Sequence, residues 1–76
     1  MPVREFETVH RGCTLKIISR EHGGLWTAQG SLRFPKATHV PVKWLDLAAQ
    51  FESAEDALES AQRWALAEIQ NALLNA

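Results

Sequence analysis

The chain has 76 residues, a formal net charge of −1 and a hydrophobic fraction of 46%. This length predicts one domain, residues 1–76, with a core that contributes only about 3–5 kcal/mol, so an additional source of stability such as oligomerisation is expected. Cys13 is the only cysteine, which excludes an internal disulfide and a cysteine-rich zinc site. The near-neutral charge argues against a dedicated nucleic-acid binder. With no apolar run for a signal peptide or a membrane span, we expect a cytoplasmic protein without a membrane partner.

The first half of the chain predicts an antiparallel sheet. Residues 3–9 alternate weakly and leave open a short fourth strand at the N-terminus. The β-branched content of residues 14–20 predicts a strand, and Gly23-Gly24 supplies the positive φ angles of a tight hairpin turn. Residues 25–34 alternate as a half-buried strand does. The residues that share the core face of this strand are Trp26, Ala28, Leu32 and Phe34.

The last predicted strand covers residues 40–44. It lies at an edge of the sheet, because Pro41 has no N–H to donate to a ladder. In this register Val40, Val42 and Trp44 face the core, while Lys43 faces away. The middle strand is then 25–34. Residues 45–51 fit a loop, a helical turn or the end of the last strand equally well.

One long C-terminal helix is predicted from Ser53 to Leu74. The Ser53 hydroxyl can accept from a free backbone N–H of the first turn, and neither glycine nor proline interrupts the segment that follows. Its apolar residues form one stripe at helical spacing: Ala54, Ala57, Leu58, Ala61, Trp64, Ala65, Ile69 and Ala72. The predicted fold class is therefore α+β, a three-stranded antiparallel meander, with the fourth strand left open, packed on one helix.

The second half of this helix departs from the amphipathic pattern twice. Glu68 falls within the apolar stripe, which indicates either a carboxylate that reaches water where the helix overhangs the sheet, or a buried or cleft carboxylate paired with an Arg, Lys or His of the sheet. Leucines also occur on the side away from Trp64, and a helix that is apolar all round is usually covered all round. The sequence therefore predicts an interface that comprises Trp64, Leu66, Glu68, Ile69, Leu73 and Leu74; the alternative is fraying of the last turn with scattered exposed leucines.

No catalytic or metal-binding motif is found. The metal-like residues, which are His10, Cys13, His22 and His39, contain one close pair and two isolated histidines, whereas zinc needs converging ligands. A nucleophile with a recognisable base is lacking too. We expect no cofactor, no metal and no enzymatic activity. The basic residues expected to face away from the helix are Lys16, Arg20, Arg33 and Lys43, and they form either a solvated face or a weak nucleic-acid surface.

Two motifs carry a family resemblance. The hairpin Gly23-Gly24-Leu25-Trp26-Thr27-Ala28 and the helix start Phe51-Glu52-Ser53-Ala54-Glu55-Asp56-Ala57 resemble the HicB antitoxin N-terminal domain. They are closer to small, uncharacterised stand-alone bacterial proteins with the same β-β-β-α layout. Both resemblances imply the fold, and the HicB resemblance adds an antitoxin-like regulatory role as an alternative.

These observations favour a small non-enzymatic protein-interaction module. Its partner is expected to be a second copy, which gives a dimer, or a small protein that binds the C-terminal helix. The alternative function is a nucleic-acid-associated or antitoxin-like regulatory domain that uses the open face of the sheet.

Overall fold

The computed structural model describes residues 2–74, apart from the side chain of Ala48; Met1, Asn75 and Ala76 of the predicted domain lie outside the described residues. Four strands, a 3₁₀ turn and one helix follow each other along the chain: β1 (Val3–His10), β2 (Cys13–His22), β3 (Leu25–Arg33), the 3₁₀ turn (Lys36–Thr38), β4 (Lys43–Phe51) and α1 (Ala54–Leu74). The strands form one antiparallel sheet in the order β1-β2-β3-β4, and α1 packs against one face of it. The α+β prediction is confirmed, and the N-terminal segment is the fourth strand.

Two tight turns fix the register of the first three strands. Gly23-Gly24 joins β2 to β3 with φ angles of 61° and 84°, and Arg11-Gly12 joins β1 to β2 with φ angles of 52° and 80°. Two central residues with positive φ make a hairpin turn whose twist matches that of the flanking strands. The glycine pair predicted from the sequence therefore has the expected role.

The centre of the core comes from β2 and β3. Leu15, Ile17 and Leu32 are at most 4% exposed, and all three point toward α1. Ser19 is also buried, but its hydroxyl donates to the carbonyl oxygen of Thr27 at 2.8 Å, so the polar group is satisfied.

The helix begins as the sequence predicts. The backbone N–H of Asp56 donates to the Ser53 hydroxyl oxygen at 3.1 Å, which is an N-cap interaction. The side chains that face the sheet are mostly alanines, and the buried residues of α1 are Ala54, Ala57, Ala61, Ala65 and Ile69. Small side chains let the helix axis come close to the sheet, so bulk in the core has to come from the strands.

The last strand differs from the prediction of residues 40–44. β4 begins at Lys43, after Pro41, and runs to Phe51. Lys43 lies opposite the buried Leu32, on the helix side, and Trp44 lies opposite Ser31, on the other side. The predicted orientation of both residues is therefore wrong, because the partner strand β3 sets which side each residue faces.

We expect Ala61→Leu to destabilise the protein by about 1–3 kcal/mol, because the added atoms would be forced between the helix and the sheet. Ala61 is fully buried, whereas Ala67 is exposed on the same helix. Ala67→Leu is therefore the matched control and should change the free energy of unfolding by less than about 0.5 kcal/mol. Urea unfolding followed by circular dichroism measures both, and equal values for the two variants would contradict the close packing.

Candidate functional site

The residues with metal-binding or nucleophilic chemistry do not converge. His10 and Cys13 face each other across the first hairpin, but His22 lies at the other end of β2, about 30 Å from Cys13. His39 follows the 3₁₀ turn. Within residues 2–74, no group of three or more His, Cys, Asp or Glu side chains is placed to hold a metal ion.

Cys13 is a buried thiol. It is 1% exposed, and burial raises the pKa of its thiol above the ordinary value of 9.0. A nucleophilic cysteine needs the opposite, a lowered pKa and access to solvent. This geometry disfavours thiol chemistry at this position.

The predicted helix interface does not form one surface. Trp64 and Glu68 lie on the flank of α1 next to β4, as the ion pair of Glu68 with Lys43 shows. Leu66 and Leu73 lie on the opposite flank, next to the turn after β1. Ile69, between the two flanks, is 3% exposed and belongs to the core, so its assignment to a free interface is wrong. Leu74, the last residue of α1, is 75% exposed.

Glu68 has a partner in the sheet. Its carboxylate lies 3.5 Å from the ammonium group of Lys43, and the two side chains are 31% and 39% exposed. Glu68 therefore has the predicted basic partner in the sheet, but its carboxylate is partly exposed and not buried. Partial exposure keeps the contribution of such a pair to about 0–1 kcal/mol, so it orients the side chains more than it stabilises the fold.

The first exposed surface is a groove between β1 and α1. The helix packs on β2, β3 and β4, which leaves the flank beside β1 open. The groove, called the β1–α1 groove below, is lined by Thr8, His10 and Cys13 of the sheet and by Gln62, Leu66 and Ile69 of the helix. This part encloses about 180 Å³, and a wider recess of about 590 Å³ continues it past Leu73. Leu66 is 48% exposed in its wall.

The second exposed surface is the sheet face opposite α1, called the open face below. Three of the four predicted basic residues lie on it: Lys16, Arg20 and Arg33. Lys43 does not, because it faces α1. Trp44 takes a position on this face instead and is 75% exposed.

The exposure of Trp44 and the β1–α1 groove were not predicted from the sequence. The exposure of Trp44 depends on which β3 residue faces it, and residue alternation alone pointed the other way. The β1–α1 groove depends on how much of the sheet one helix covers. A usable signal for the groove was the set of leucines outside the alanine stripe.

Because burial raises the pKa of Cys13, the native state disfavours the thiolate. The stabilising contribution of the neutral thiol is present below pH 9 and is lost as the pH rises toward the higher folded pKa. We therefore expect the difference in unfolding free energy between the native chain and Cys13→Ala to shrink between about pH 7.5 and pH 10. Other alkaline titrations cancel in this difference, and a constant difference across the range would contradict the buried thiol.

Among residues 2–74, no helix combines the length and the apolar character that crossing a bilayer requires. No protein-family model, no curated protein and no solved structure matches the chain. The resemblance to the HicB N-terminal domain therefore stays a prediction.

Proposed function

We propose that this protein is a non-enzymatic interaction module that self-associates through the β1–α1 groove and the leucines of α1. The observation that carries the proposal is the exposure of Leu66 in the wall of an apolar groove that nothing in the described chain covers. Exposed apolar surface that is contiguous, and not scattered, is typical of an interaction site. Leu73 and Leu74 extend this surface along the helix.

A second copy of the chain fits the groove electrostatically. The residues that line its narrow part carry no acidic or basic side chain other than His10. The nearest charges on the helix, Glu59 and Arg63, pair with each other. Two copies related by a two-fold axis through the narrow part can therefore meet there without bringing like charges together, while Arg11 lines the wider recess.

The size of the accessible surface supports association as well. A compact monomer of 8.5 kDa would expose about 4,700 Å², whereas this chain exposes 5131 Å². Its dimensions of 41 × 17 × 16 Å are elongated. Small domains without disulfides or metals often gain the missing stability from oligomerisation.

Two observations on single residues support a function without catalysis. The single cysteine is buried with a raised pKa, and the carboxylate of Glu68 forms an ion pair with Lys43. Neither group is arranged as a nucleophile or a general base.

We expect Leu66→Glu to weaken the self-association by about a hundredfold or more. A buried leucine contributes about 1.5–3 kcal/mol, and a two-fold interface loses it twice. The measurement is sedimentation equilibrium over a range of protein concentrations. The thermal midpoint of the native chain should also rise with concentration, because dissociation is coupled to unfolding.

Leu25→Glu is the matched control for this experiment. Leu25 is an exposed leucine at the second hairpin, about 30 Å along β2 from the groove. The same substitution there should leave the association unchanged. A native chain that stays monomeric at every concentration would overturn the proposal, as would equal effects of the two variants.

A further inference from the structure

The charges of the open face are segregated by strand. On this face β2 and β3, the two central strands, carry Lys16, Arg20 and Arg33, and no described open-face position in them is acidic. The carboxylates of the face lie on the outer strands: Glu5, Glu7 and Asp46. The result is a basic strip along the middle of the sheet between two acidic borders.

The basic strip is long and straight enough for one extended polyanion to contact all three of its cations. Arg33 lies opposite Thr14, Lys16 is two residues further along β2, and Arg20 is four residues beyond that. At the rise of a β-strand these positions span about 20 Å. Among residues 2–74, Lys16 is the one of these three cations with a carboxylate oxygen within 4 Å, that of Glu7 at 3.4 Å, and both side chains are largely exposed. A salt bridge between exposed side chains is weak in water, so Lys16 can leave Glu7 and contact another anion.

Trp44 lies beside this strip with its indole exposed. It faces Ser31 across the β3–β4 pair and borders a recess of about 410 Å³. The recess is also lined by Lys16, Ile18, Gln29 and Asp46, so it holds one cation and one carboxylate. A flat aromatic surface, flanked by an amide and a hydroxyl that can donate and accept, is suited to stacking with a nucleobase and contacting its edge.

We propose that the open face binds single-stranded nucleic acid. Trp44 stacks on a base, Gln29 and Ser31 contact the edges of bases, and the cations of the central strip contact phosphates. A duplex hides the faces of its bases in the stack, so it cannot use the indole. An acidic polypeptide could use the cations but has no base for Trp44. The surface lies on the side of the sheet opposite α1, so this proposal is independent of self-association through the helix.

The first test measures the fluorescence anisotropy of a labelled oligothymidylate and of a labelled oligouridylate, each about fifteen nucleotides long. At about 50 mM salt both should bind. Trp44→Ala should weaken binding by about 5- to 150-fold, which corresponds to the loss of one stacked base. Trp44→Phe should retain most of the affinity. Trp44 is 75% exposed, and circular dichroism of both variants checks that the fold is kept.

The second test uses the salt dependence. Three phosphate contacts on a single strand predict a slope of about −2 in log K against log salt concentration, and each lost contact reduces the steepness by about 0.7. Arg33→Ala and Arg20→Ala should each give about −1.4. Arg63→Ala is the matched control, because Arg63 is an exposed arginine on α1, and it should leave the slope unchanged.

Four outcomes would overturn the proposal. They are no binding of either oligonucleotide at low salt, equal affinity for a duplex of the same length, equal affinity for polyglutamate, and full binding by Trp44→Ala. Binding of polyglutamate alone would assign the strip to an acidic protein partner. Loss of oligonucleotide binding in Trp44→Ala, together with the reduced slopes of the arginine variants, would support the nucleic-acid assignment.

Discussion

The close contact between a row of alanines and the sheet determines the rest of this structure. Ala57, Ala61 and Ala65 are at most 1% exposed, so the backbone of α1 lies directly above the side chains of the strands. A Cβ on Gly30, on the same side of the sheet, would overlap with the carbonyl oxygen of Lys16. The row of alanines gives the helix a narrow contact strip, which lies over β2, β3 and β4. The groove beside β1 is the direct result of that narrowness.

Ion pairs on both sides of the helix complement this packing without replacing it. Lys43 reaches Glu68 from β4, and Arg4 of β1 approaches Glu55 at the start of the helix at 3.9 Å. Each pair is partly exposed and contributes little free energy. Their positions at opposite sides and ends of α1 nevertheless favour one orientation of the helix over others. The alanines set the distance between the layers, and the charges favour the direction.

Local patterns were sufficient to predict much of the fold. The Gly23-Gly24 turn, the alternation of β3 and the Ser53 helix start each depend on neighbours in the sequence, and each is present as expected. Local patterns could not predict the side-chain orientation of β4, because this orientation depends on pairing with β3. Pairing with β3 places Lys43 and Trp44 on the sides opposite to those that the alternation of residues 40–44 indicates. For the same reason, the predicted basic face wrongly included Lys43 and did not include Trp44.

The order of the strands along the chain has a consequence for the way the protein is made. Each strand pairs with its sequence neighbour, so the whole sheet can assemble from local hairpins while the chain is still being synthesised. Within residues 2–74, α1 is the element that covers the sheet, and it follows all four strands along the chain. Until α1 has been synthesised, no helix covers the apolar side chains of β2 and β3, and exposed apolar surface of this kind makes a nascent chain prone to aggregation. Completion of the helix is thus the event that ends the vulnerable period of folding.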